Sequence, residues 1–168
     1  MTTTYAKNRG YDIVRNFALG PEAVFRAWTD PEHLGWFFNP EMPLPEPARV
    51  DLRVGGAWRQ VMAINDETRY VTGGIDVEIE ANRRLSFYWG AIDGWPKLDP
   101  LRLENAPLVT VVLTPKDGGT EMTFSLRMPD HLSDKEVDAF FALALESRWT
   151  QTLERLVDAL AVQPTGPR

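Results

Sequence analysis

The side chains able to do chemistry are few and scattered. Among 168 residues there are two histidines, His33 and His131, and no cysteine. Metal sites need clustered ligands, and neither histidine has another histidine or a cysteine nearby. His33 reads as the fourth residue of a helix that starts near Asp30, and His131 as a loop residue after Pro129-Asp130. Lack of cysteine removes thiol nucleophiles, disulfides and cysteine-ligated zinc. There is no G-x-S-x-G, no P-loop and no dinucleotide fingerprint. The glycine pairs 55-56, 73-74 and 118-119 fall inside hairpins or strands, where turn geometry explains them. No metal and no cofactor are expected.

Acid–base candidates reduce to Asp76 and Glu78 on one strand, Tyr88, and Arg148. By the period of two, Asp76 and Glu78 share one strand face while Ile75, Val77 and Ile79 share the other. If the apolar trio packs inward, both acids point to solvent and an enzyme loses them. Arg148 is more informative. At 100° per residue it falls in the middle of the stripe formed by Val137, Phe140, Phe141, Ala144 and Leu145, with Thr152 beside it. A buried arginine must be paired or reach water. It could neutralise Asp76 or Glu78, hold an anionic ligand bidentately, or snorkel to the surface.

The six tryptophans, at 28, 36, 58, 89, 95 and 149, are the other unusual feature. Trp58 and Trp89 fall on the apolar side of their strands and Trp149 on that of its helix. They read as core aromatics or as the wall of a cavity for a flat or greasy ligand. Trp95, in a long loop, reads as a lid, a partner contact or a loop anchor. The ligand-binding candidates are therefore Trp36, Trp58, Met62, Trp89, Trp95, Phe141, Leu145, Arg148 and Thr152; none is assigned a catalytic role.

The elements that position these residues follow from local signals. Residues 10–17 are β-prone, and Gly20-Pro21 opens a helix with Val24, Phe25 and Trp28 on its apolar face. Asp30-Pro31 opens a second, brief helix carrying Leu34, Phe37 and Phe38. Four prolines in 39–47 impose a stiff, extended connection. Val50, Leu52 and Val54 alternate with Arg49, Asp51 and Arg53 as a strand, and Gly55-Gly56 reads as its hairpin turn. Trp58, Gln60, Met62 and Ile64 share a face of the next strand, and Asn65-Asp66-Glu67 turns. Residues 69–80 form a long strand in which Gly73-Gly74 suggests a bulge or bend. Ala81-Asn82-Arg83 turns into Leu85, Phe87 and Trp89, and 91–106 is a long loop. Val109, Val111 and Leu113 lead through Lys116–Gly119 into Met122, Phe124, Leu126 and Met128, a second hairpin. Ser133-x-x-Glu136 is a capping box opening a helix that runs to about 161, with Trp149, Leu153, Leu156 and Leu160 on its stripe.

Strands joined by tight turns imply an antiparallel sheet. Its covered face needs the terminal helix, the only element long enough. The fold class is α+β: a curved antiparallel sheet wrapped around a long C-terminal helix, with two short helices after the first strand. Residues 9–162 form one domain, and 1–8 and 163–168 are flexible termini.

Hydrophobic residues make up 43% and the formal charge is −6. The composition is that of a globular chain. An acidic chain without a basic block argues against non-specific nucleic-acid or membrane-surface binding. No apolar run is long enough to span a bilayer. The polar N-terminus lacks an apolar signal segment, so a cytoplasmic location is the default.

In five segments the chain resembles the START-related, birch-pollen-allergen-like superfamily (SRPBCC). They are PEAVFRAWTDPEHLGWF (21–37), DLRVGGAWRQVM (51–62), GGIDVEIEANRRLSFYW (73–89), LVTVVLTPKDGGTEMTFSL (108–126) and ESRWTQTLERLVDAL (146–160). More narrowly it is similar to bacterial homologues of the C-terminal domain of the activator of the heat-shock-protein ATPase. The W-x-D-P-E pattern from Trp28 to Glu32, Trp36, the Gly55-Gly56 turn, Arg84-Leu85, Gly119-Thr120 and Trp149 carry that likeness. The resemblance implies the helix-grip fold. It also implies binding of a small hydrophobic or amphipathic molecule in a cavity between sheet and terminal helix. Some members of the superfamily are instead cyclases or hydrolases, and the narrower likeness suggests a domain acting on a chaperone. Fold alone does not choose among them. Segments 39–47 and 91–106 look longer than the family pattern and should lie near an open end of the grip, where they bear on what enters; a lid role for them is left open. The expected partner is a small hydrophobic ligand rather than a chaperone; self-association as a homodimer is left open.

Overall fold

The Asp117-Gly118 pair reverses the chain in two residues. Both residues have positive φ, 52° and 81°, as the two-residue hairpin turn that matches strand twist demands. Lys116 pairs with Gly119 across it, locking the register of β6 (Leu108–Lys116) and β7 (Gly119–Arg127). The computed structural model describes residues 10–30, 49–63, 69–91, 106–141 and 145–161.

The remaining strands build outward from this hairpin. They are β1 (Gly10–Phe17), β2 (Arg49–Val50), β3 (Ala57–Ala63), β4 (Arg69–Glu80) and β5 (Arg84–Ala91). All pairings are antiparallel, in the order β1-β7-β6-β5-β4-β3-β2. Asn82, at φ 63°, turns β4 into β5. The expected strand through Val50, Leu52 and Val54 stops at Val50. A compact turn replaces it, with Arg53 N–H donating to Asp51 O and Gly56 N–H to Arg53 O. Leu52 and Val54 are consequently exposed.

Helix α1 (Pro21–Thr29) starts with Pro at its first turn and buries Val24, Phe25, Ala27 and Trp28. Trp28 lies 6.3 Å from Phe124 of β7 and 6.5 Å from Phe87 of β5, so α1 covers the middle of the sheet. The C-terminal helical region is described as α2 (Asp134–Phe141) and α3 (Leu145–Ala161). The capping box is reciprocal: Glu136 N–H donates to Ser133 Oγ at 3.1 Å and Ser133 N–H to Glu136 Oε1 at 3.0 Å. These bonds hold the Glu136 carboxyl below its ordinary range. Val137, Trp149, Leu153, Leu156 and Leu160 are buried, as the stripe required. Arg15 reaches from the edge strand β1 to Glu154 of α3 at 2.6 Å. The second short helix, the proline-rich stretch, the Asn65–Glu67 turn and the loop holding Trp95 lie outside the described residues, as do both termini. No helix among the described residues is long and apolar enough to cross a membrane.

Ser133→Ala removes one half of the capping box. It should cost about 1 kcal/mol, read as a lower urea midpoint with an unchanged slope.

Candidate functional site

Side chains on opposite residues of an antiparallel pair share a face. Phe87 and Leu85 of β5 are core residues, so they mark the concave face that the helices cover. Opposite Phe87 stands Asp76, and opposite Leu85 stands Ile79. Asp76 and Ile79 are three residues apart, an odd number that an unbroken strand cannot place on one face. The register shifts between Asp76 and Glu78. Val77 is the extra residue, 37% exposed. This β-bulge re-aims the side chains on either side of it.

The bulge corrects the sequence reading of β4. The irregularity sits at Val77 rather than at Gly73-Gly74, and the acids do not share a face. Asp76 points inward at 2% exposure. Glu78 points outward, where Arg84 Nε donates to it at 2.7 Å and Ser86 hydroxyl at 3.4 Å. Tyr88, opposite Ile75, is on the outer face with them. Of the acid–base candidates with described side chains, only Asp76 lies on the concave face. Among the described residues there is no metal-binding cluster. His131 is an exposed loop residue, and His33 is outside the described residues.

Aromatic rings surround this acid. Trp58 pairs with Gly74, and Gly74 with Trp89, so both indoles lie on the concave face one step along from Asp76. A Cβ on Gly74 would stand 2.6 Å from Trp58 Nε1 and 2.7 Å from Phe87 Cδ1. Glycine is needed there because the Trp58 indole lies over its backbone. Trp58 meets Phe87 edge-on at 5.3 Å, and Trp89 meets Trp149 of α3 edge-on at 5.2 Å. Phe124 closes the chain of rings, 4.7 Å from Trp149.

The Asp51–Gly56 turn brings a second acid close. Gly55 N–H donates to Asp76 O at 2.7 Å and Asp76 N–H to Gly56 O at 2.9 Å, which fastens the turn to β4. The carboxylate of Asp51 accepts from Arg53 Nε at 2.8 Å. Burial, helped by the Asp51 charge, pushes the Asp76 carboxyl up from 3.8 to about 7.

The expected ligand residues divide three ways. Trp58 and Trp89 stand together on the concave face, Trp58 buried and Trp89 half-buried. Thr152, half-buried on α3, accepts a hydrogen bond from Arg155 at 3.3 Å. Met62, Phe141, Leu145 and Arg148 lie on described backbone, but their side chains are outside the description, as are Trp36 and Trp95 entirely. Glu78 is bonded by Arg84, and the alternatives for Arg148 fall outside the described side chains. Sequence reasoning missed Asp76 as an inward residue and Phe87 as its partner. The available signal was the three-residue spacing from Asp76 to Ile79 in a strand longer than its neighbour.

A curved antiparallel sheet gripping a C-terminal helix, with an aromatic concave face, defines a helix-grip domain. The chain belongs to the family described as activator of Hsp90 ATPase homolog 1-like protein, whose model matches residues 18–161. Its fold is shared by a protein from Arthrobacter aurescens, with a TM-score of 0.76 at 22% identity over 95% of this chain and 90% of that one. A protein from Rhodobacter sphaeroides matches with a TM-score of 0.74 at 24% identity over 94% and 96%. One from Rhizobium leguminosarum matches at 0.71 and 24% over 92% and 95%. No functionally curated protein matches the chain.

Gly74→Ala should force Trp58 or Phe87 to move, at a cost of about 1–3 kcal/mol, measured by chemical denaturation. The raised Asp76 carboxyl carries a pH signature. Below about pH 4 it is protonated whether the chain is folded or not. Between there and about pH 7 only the folded state holds the proton, so stability falls as pH rises. The loss is on the order of 4 kcal/mol at about 1.4 kcal/mol per pH unit. Asp76→Asn should remove that slope and be more stable than the parent at pH 8, by urea unfolding at pH 5 and pH 8.

Proposed function

We propose that the concave face binds a small hydrophobic or amphipathic molecule between the sheet and the C-terminal helix. The observation that supports this most directly is Trp89. It is a large indole facing the helices, edge-on to Trp149, and it retains accessible surface. Its neighbours on that face are rings as well, so a ligand entering there meets apolar area. Roughly 300 Å² of such area removed from water contributes about 7 kcal/mol before the entropic cost of association. Family membership supports the reading at the level of the fold.

A second reading, an enzyme of cyclase or hydrolase type, is favoured by one observation. Asp76 is a buried carboxyl holding a proton to about pH 7, which is what a general acid working near neutral pH requires.

One experiment tests both readings. The protein is titrated with a lipophilic library, followed by tryptophan fluorescence and native mass spectrometry. Binding predicts an emission change and a one-to-one adduct, with affinity reduced at least fivefold in Trp89→Ala and partly restored in Trp89→Phe. A time-dependent change in the mass of the bound molecule supports the second reading. A library that yields neither emission change nor adduct removes both.

A further inference from the structure

Of the four large apolar residues that stand exposed among the described residues, three belong to one corner of the fold. Leu52 and Val54 project from the Asp51–Gly56 turn at 46% and 63% exposure. Val77 is in the same corner, because Gly55 N–H donates to the carbonyl of its neighbour Asp76. At the base of the turn Asp51 N–H donates to Ala57 O at 2.9 Å. Backbone hydrogen bonds therefore set the shape of the turn, and Leu52 and Val54 are held outward by it. Grouped apolar side chains presented in this way mark a contact surface.

A groove of about 510 Å³ lies between this turn and α1. Buried Phe25 and half-buried Val50 form its floor, with Leu52 as one wall. Its α1 side carries Glu22, Arg26 and Asp30, with Arg26 donating to Glu22 at 3.1 Å. The turn side carries Asp51 and Arg53, paired at 2.8 Å. An apolar ridge and an apolar-floored groove are thus neighbours, and both are bordered by charges of both signs. A lipid surface or a neutral small molecule would cover those charges without pairing them. The occupant that suits the groove is an apolar projection flanked by a cation for the acids and an acid for Arg26. This chain carries that combination itself, in the turn beside the groove. A two-fold axis lets one such surface serve both copies. We propose that this corner is the contact between two copies of the chain. The Leu52–Val54 ridge of each seats in the groove of the other, over Phe25 and Val50. Arg53 then faces the partner's Glu22, and Asp51 faces the partner's Arg26. Every charge stays matched while two apolar ridges leave water. A corner of this extent suits a reversible dimer rather than an obligate one.

Sedimentation velocity on the full-length protein, from the micromolar to the millimolar range, tests this. The expected result is a concentration-dependent monomer–dimer equilibrium. Leu52→Asp should raise the dimer dissociation constant at least tenfold. Arg53→Glu should do the same, by setting a glutamate against the partner's Glu22. Adding Glu22→Arg to Arg53→Glu should bring the constant back to within a factor of three of the parent, which a dimer through any other face would not show. These three positions are exposed, and the result on the unsubstituted protein stands whatever the variants do. A chain that stays monomeric over the whole range overturns the proposal. A dimer that Leu52→Asp leaves unchanged, or that the paired charge reversal does not restore, lies on another face and overturns it as well. Neither outcome bears on ligand binding in the concave face.

Discussion

Side chains of a β-strand alternate between faces, and among the described residues the helices cover one face of this sheet. Everything inside the molecule depends on keeping apolar residues on that side. Ile13 and Phe17 of β1, Leu85 and Phe87 of β5, Val109, Val111 and Leu113 of β6, and Met122, Phe124 and Leu126 of β7 all do so. Trp28 from α1 and Trp149, Leu153 and Leu156 from α3 complete the layer. The other face carries polar pairs such as Asp12 with Arg127, Glu78 with Arg84, and Ser86 with Thr110. The two ion pairs among them, solvent-accessible, contribute little energy singly, and Ser86 is itself buried. The pairs mark the face that water keeps.

The bulge at Val77 is where β4 changes phase. It lets Ile79 face the core beyond it while Asp76 faces the core before it. An uninterrupted strand would have placed either the acid or the isoleucine in water. The result is an ionisable group beside the rings of Phe87, Trp58 and Trp89, anchored through its backbone by the Gly55 and Gly56 turn. Local rules of burial are broken most often where a protein acts on something else. Here the exception lies on the face that the helices cover, beside the half-buried Trp89.

Much of the fold was legible because its signals are local. Two positive-φ residues at Asp117-Gly118 define the last hairpin, Ser133 and Glu136 cap the C-terminal helical region, and Pro21 opens α1. Each needs only a few neighbouring residues to be recognised. Trp58 and Trp89 were legible as concave-face residues from period-two patterning alone. The strand through Leu52 and Val54 was not, because alternation there satisfied the pattern while the turn's own hydrogen bonds prevailed over pairing with β3.

The amino-acid sequence alone determined which segments extend, which coil, and which residues of β5, β6 and β7 turn inward, since periodicity and turn chemistry act over a handful of residues. Only the tertiary structure decided that Asp76 faces the rings and Glu78 the solvent. That outcome depends on how a twelve-residue strand accommodates an eight-residue neighbour in a curved sheet. A residue looped out to absorb the mismatch inverts the facing of every side chain beyond it, and no property of Asp76 or Glu78 themselves records it.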